Sequence, residues 1–176
     1  MSKSNLKKLY HNFIHAFPIL FLFFLAFTGF DLSFFLFENN YSFNFIYLVV
    51  FYWVLTKPDR LGYGLIFLIG IINDVVQNFP IGISSINFLV LSIISSFIRV
   101  RLINPSIFYD WVMFLIAIII TNSINYIILS TIFAFPIKYG TLMTSSLITF
   151  IVYPIFSKIF TIINLFNLKY EDKKQI

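Results

Sequence analysis

Residues 61–98 read LGYGLIFLIGIINDVVQNFPIGISSINFLVLSIISSFI. Two apolar runs, at about 61–76 and 84–98, are joined by Asn78-Phe79-Pro80-Ile81-Gly82. Asn tolerates a positive φ, Pro fixes its own, and Gly reaches conformations closed to other residues, so this stretch forms a sharp, re-entrant turn. On the helix before it, Gly70, Asn73, Asp74 and Gln77 stand at offsets 0, 3, 4 and 7 and share one face. The segment reads as a pair of apolar helices around a tight turn, with one acid on a polar stripe.

Composition says what solvent surrounds such a pair. The chain has 176 residues, 60% hydrophobic and 11% charged, with mean hydropathy +0.93. A soluble domain carries roughly a quarter charged residues and under half apolar ones. A water-soluble fold of this size would lack the polar surface to cover itself, and the long apolar runs make lipid the natural solvent. The net charge of +5 and pI near 9.4 do not point to nucleic acid. The basic residues sit in short patches between apolar runs, a pattern of topology signals and contacts with anionic lipid headgroups. There is no cysteine, so disulfides, thiolate metal sites and thiol nucleophiles are excluded.

Working outward, apolar runs at about 13–30, 42–55, 61–76, 84–98, 107–133 and 141–165 predict an all-α, polytopic membrane protein with about six transmembrane helices in one domain, 1–176. The second run is short, ends in Tyr52-Trp53 where an interfacial aromatic belt is expected, and is stopped by Lys57-Pro58-Asp59-Arg60. The fifth opens after Asn104-Pro105, Pro being favoured near a helix start. Residues 31–38, bounded by Asp31 and Glu38, are expected at the outer interface.

With the N-terminus inside, the inner segments hold Lys3, Lys7, Lys8, Lys57, Arg60, Arg99, Arg101, Lys169, Lys173 and Lys174, and the outer loops only Lys138. Lys158, in the inner part of the last run, can snorkel inward. Every loop then obeys the positive-inside rule, with both termini cytoplasmic in a bacterial inner membrane. If the second run did not cross, Arg99 and Arg101 would face outward, so six spans is the better count.

Asp74 is the residue most open to a special role. A carboxylate inside hydrocarbon costs about 2.5–3.5 kcal/mol even on a lenient scale, so it faces protein or water. Three readings stay open: a hydrated acid near the outer surface that ends its helix, a buried acid with hydrogen-bond partners, or a ligand- or proton-handling group. In the fourth run Ser85, Ser92, Ser96 and Arg99, widened by Ser84, Asn87 and Ser95, form a polar, small-residue side. Such stripes let helices approach and hydrogen-bond across the contact, and the other reading is the wall of a polar cavity. Asn122 and Asn125 in the fifth run carry the same two readings. One expectation is a groove along the outer halves of the third and fourth runs that takes a single partner helix. There Gly70, Ser85 and Ser92 would permit close approach, and Asn73 and Asn87 would hydrogen-bond into the groove. Gly62, Gly64 and Gly70 make no GxxxG seam. His11 and His15 lack a third ligand and the Glu of a zinc-hydrolase motif. Walker glycines, a GxSxG elbow and paired intramembrane carboxylates are missing, so no enzyme chemistry, metal or cofactor is expected.

Tyr52-Trp53 with Lys57-Pro58, then Gly64, Gly70, Asp74, Pro80 and Gly82 before another apolar run, resembles the rod shape-determining protein MreD family. Its central pattern is similar: Tyr-Trp near a span's end, a basic-Pro loop, Gly-x-x-x-Asp and a Pro-Leu-Gly turn. The resemblance covers nearly the whole chain, and residues 52–87 carry most of its specificity. Asn78 stands where the family often has Gly, and Ile81 where it often has Leu. The resemblance implies a non-enzymatic component of the cell-elongation machinery. Such a protein binds MreC and links MreB filaments to the peptidoglycan synthases, RodA and a class B penicillin-binding protein. It also implies a bundle similar to the S-components of energy-coupling-factor transporters, which supplies the alternative function, uptake of a vitamin or similar small molecule. Trp53, Pro58, Gly70, Asn73, Asp74, Pro80, Gly82, Ser85 and Asn87 are the partner-binding or structural residues expected on these grounds.

Overall fold

The computed structural model describes residues 3–29, 43–58, 61–101, 106–134 and 139–172, with side chains at 16–29, 43–58, 61–100, 106–134 and 139–164. Among the described residues the chain is all-helical: α1 (Lys3–Thr28), α2 (Phe45–Thr56), α3 (Tyr63–Gln77), α4 (Ile83–Arg101), α5 (Ile107–Thr131) and α6 (Tyr139–Asp172). Each overlaps one of the apolar runs, with α1 starting ten residues before the expected 13 and α6 ending seven after the expected 165. Residues 31–38, Asp59, Arg60, Asn104, Pro105, Lys138, Lys173 and Lys174 lie outside the described residues, as do the side chains of His11, His15 and Arg101.

The helix α2, FIYLVVFYWVLT, has no polar side, and a helix apolar all round is a buried one. Residues 45–55 are all buried, and α2 packs against α1, α4 and α6. This corrects the expectation for Tyr52 and Trp53. They form no interfacial belt: they are 3% and 2% exposed, stack edge-on against each other and pack on Phe160 of α6. Helices on every side of α2 take the place of the headgroup layer.

Specific contacts fix the helix directions. Gly29, just past α1, lies beside Val76 and Gln77 at the end of α3, so α1 and α3 run parallel. Tyr47 packs on Phe88 and the Ser95 hydroxyl donates to the Phe51 carbonyl, so α2 and α4 run parallel. The Asn44 N–H donates to Thr149 Oγ1, and Tyr52 Oη pairs with Thr161 Oγ1, which aligns α2 with α6. Against these, Tyr63 bonds Ser96 while Asn73 bonds Ser84, so α3 and α4 are antiparallel. Trp111 donates to the Phe150 carbonyl while Tyr126 packs on Tyr139, and α5 and α6 are antiparallel as well. Successive helices from α1 to α6 alternate in direction.

Length separates the helices into two sets. Ile83–Val100, Ile107–Thr131 and Tyr139–Asn164 are each long and apolar enough to cross a bilayer. Ala16–Thr28, Phe45–Thr56 and Tyr63–Gln77 are apolar but shorter. The chain therefore has the helices of a membrane protein, and length alone supports three crossings where six were expected.

Candidate functional site

The joint between α3 and α4 is built by backbone geometry first. Helix α3 ends at Asn78, which takes the left-handed conformation at φ 56 and ψ 33 and donates its N–H to the Asp74 carbonyl. Phe79 N–H donates to that same carbonyl at 3.0 Å, and Gly82 opens α4 at φ 104, a conformation that L side chains rarely adopt. Pro80 accepts from the Ile83 N–H at 3.4 Å, closing the turn. Asn78 and Gly82 thus hold the two positive-φ positions the sequence calls for.

Asp74 locks this turn. Its side chain is fully buried, with Oδ2 accepting the Gly82 N–H at 2.7 Å and Oδ1 accepting the Ser84 N–H at 2.9 Å. The first N–H groups of a helix have no partner inside it, and their dipoles favour a negative group. Asp74 caps α4 from the end of the preceding helix. Of the three readings, the buried acid with hydrogen-bond partners describes its surroundings, and both partners belong to this chain.

Four residues upstream, Gly70 meets Ser85. A Cβ added at Gly70 would fall on the Ser85 Cα and lie 2.5 Å from its backbone nitrogen, so the two backbones touch. Ser85 is fully buried and its hydroxyl donates to the Phe67 carbonyl of α3. The groove expected here for a partner's helix is therefore closed at Gly70 and Ser85, because each already occupies the other. Ser92 is buried and donates to the Phe88 carbonyl of its own helix, so it is not an open position either. The serine side of α4 packs inward along most of its length.

Toward the turn it becomes a cavity wall. Asn44, Tyr47, Asn73, Ser84, Asn87, Asn122 and Asn125 line a cavity of about 140 Å³, together with apolar side chains such as Phe88, Leu129 and Leu142. Asn73 Nδ2 donates to Ser84 Oγ at 3.0 Å, and Asn122 Nδ2 donates to Ser146 Oγ at 2.6 Å. The Ser146 proton already goes to the Leu142 carbonyl, so the Asn122 amide can present only its N–H to that oxygen. The Oδ1 atoms of Asn73, Asn87, Asn122 and Asn125 are buried and accept no hydrogen bond. The lining holds no Asp, Glu, Lys or Arg among the described residues.

The structure gathers Gly70, Asn73, Asp74, Pro80, Gly82, Ser85 and Asn87 at one end of the bundle. Trp53 and Pro58 stand apart from them: Trp53 is core, its Nε1 without a hydrogen bond, and the Pro58 carbonyl accepts the Leu61 N–H at 3.1 Å in the α2–α3 connection. Asn44 and Tyr47 were not legible as site residues. The available signal was weak: asparagines near the ends of several apolar runs that alternation brings to one side. Compared with family models, curated proteins and solved structures, the chain matches none.

Proposed function

We propose that this chain is a bacterial inner-membrane protein of the MreD kind: a non-enzymatic component of the cell-elongation machinery that binds MreC and links MreB filaments to RodA and a class B penicillin-binding protein. One observation carries the reading. The 70–82 part of the resemblance, Gly70, Asp74, Pro80 and Gly82, is spent on a single joint that sets the α3–α4 angle. A scaffold needs that kind of fixed shape more than it needs reactive groups.

In this proposal the chain crosses the membrane six times with both ends cytoplasmic. The alternating helix directions are what six crossings require, and the basic residues orient them. At 12 residues, α2 is about 18 Å long, short of the roughly 30 Å hydrocarbon layer. It is covered by other helices throughout, so it need not match the lipid. The test is replacement of MreD in a depleted rod-shaped bacterium. Restored rods together with co-purification of MreC are expected. Round cells and no MreC, with the chain present at normal abundance, would overturn the proposal.

A further inference from the structure

We propose that Pro154 divides α6 into two arms and that Trp111 of α5 is the latch that fixes the angle between them. The inference goes beyond the scaffold reading and does not rest on it. A proline inside a helix has no N–H for the carbonyl four residues back, and its ring crowds that carbonyl, so the helix bends or weakens there. In α6 the carbonyl left without its helical donor is that of Phe150. The Trp111 indole Nε1 donates to this same oxygen at 2.8 Å. Its ring also stacks on the Phe150 ring, with centroids 4.7 Å apart and planes 11° from parallel. A side chain on the neighbouring helix thus supplies the hydrogen bond that the proline removes. A bare carbonyl in an apolar surrounding is costly, and donors from neighbouring helices are one remedy for a proline inside a membrane helix.

The two arms are tied to different neighbours. Before Pro154, α6 is joined to α5 by the Asn122–Ser146 bond, and Thr149 Oγ1 accepts the Asn44 N–H ahead of α2. Beyond Pro154, the second arm rests on α1 and α2 through the rings of Phe156 and Phe160 and through the Tyr52–Thr161 pair. Helix α5 runs antiparallel to α6 and begins at Ile107, only four residues before Trp111, so the second arm soon outruns it. Ile155, Lys158, Ile159 and Ile162, at offsets 0, 3, 4 and 7, form one exposed face of that arm. The latch lies at the boundary between the arms. With it released, the second arm turns about Pro154 while the first stays with α5, and the direction of that exposed face changes.

Trp111→Phe keeps a ring on Phe150 and removes the donor. Pro154→Ala returns the amide N–H, so α6 can bond the Phe150 carbonyl by itself and Trp111 becomes dispensable. Thermal unfolding is measured for the full-length chain in lipid nanodiscs as wild type, each single variant and the double variant. Trp111→Phe is expected to lower the midpoint by about 2–4 °C or more, the effect of one net hydrogen bond in a chain of this size. In the Pro154→Ala background the same change should leave the midpoint where it is. Arm motion is read by pulsed electron paramagnetic resonance on spin-labelled cysteines. The chain has no cysteine of its own, and Ile127, Ile151 and Ile159 are exposed. Ile127→Cys is paired with Ile151→Cys in one sample and with Ile159→Cys in another. Trp111→Phe should broaden the 127–159 distance, leave the 127–151 distance as in wild type, and lose the broadening when Pro154→Ala is added. A Trp111→Phe chain that fails to fold should be rescued by Pro154→Ala. If Pro154→Ala itself fails to fold, the distances in Trp111→Phe decide. An equal loss of stability in both backgrounds, no loss in either, no rescue, or equal or absent broadening at the two pairs would overturn the inference and leave Trp111 a packing residue only. Rod-shape rescue and MreC co-purification are read separately, so failure here does not mimic failure of the scaffold proposal.

Discussion

Asp74 Oδ1 accepts the backbone N–H of Ser84 at 2.9 Å, so the last turn of one helix caps the first turn of the next. With Oδ2 held by Gly82 N–H, both carboxylate oxygens are committed to backbone amides at the start of α4, which have no partner inside that helix. The acid that is most expensive to place in a membrane is thereby used to close a hairpin rather than to meet a ligand.

The two bonds distinguish substitutions at Asp74. Asn keeps the shape but turns one acceptor into an N–H₂ facing a backbone N–H, so it is no longer a neutral replacement as shape alone suggests. Hydrogen bonds to a charged group are worth about 1.5–3 kcal/mol each, so Asp74→Asn should lose roughly one such bond. Asp74→Ala and Asp74→Leu should lose both. Thermal unfolding of the purified variants should rank wild type, Asn, then Ala and Leu together. Asn and Ala falling equally would show that the charge acts at a place other than the α4 cap.

Gly70 allows no side chain because its neighbour is backbone. Gly70→Ala should destabilise by about 1–3 kcal/mol through overpacking. Adding Ser85→Gly should not restore it, since the collision is with the Ser85 Cα and nitrogen, which Gly retains. Gly62→Ala and Gly64→Ala meet nothing within 4 Å and should be tolerated. Unfolding temperatures of the four variants check this, and rescue by Ser85→Gly would place the crowding at the hydroxyl.

Trp53 contributes volume, not a hydrogen bond. Its ring is 2% exposed and its Nε1 has no acceptor. Trp53→Phe should cost little beyond the lost ring area, whereas Trp53→Ala should cost about 3–5 kcal/mol. A comparable loss in both variants, measured by unfolding in detergent, would indicate that the indole N–H is used.

The proposed six crossings would put the two ends of α4 on opposite sides of the membrane. The chain has no cysteine, so single cysteines report without background. Ile81→Cys, at an exposed turn position, should react with an impermeant maleimide added outside intact cells. Arg99→Cys, also exposed, should react only after the membrane is opened. Labelling of position 99 in intact cells would mean that an earlier helix does not cross.

Helix number was legible from residue order because it is a local property: an apolar run grows until Lys57-Pro58 or Asn78-Phe79-Pro80 interrupts it, whereas α1 and α6 run on through polar residues beyond the expected bounds. The positive φ at Asn78 and Gly82 was legible for the same reason. So was the shared face of Gly70, Asn73 and Asp74, which needs only the helical period. What that face touches was not legible, since the partners are backbone atoms of Gly82, Ser84 and Ser85, which become neighbours only when the hairpin closes. Residue order likewise marked α2 as apolar all round but left open what surrounds it. Lipid tails are as apolar as Leu, so hydrophobicity cannot tell a lipid-facing helix from a central one. Packing alone made Tyr52 and Trp53 core residues, and packing alone brought Asn44, Asn73, Asn87, Asn122 and Asn125 around one cavity. An asparagine's own sequence window carries no trace of acceptors contributed by other helices.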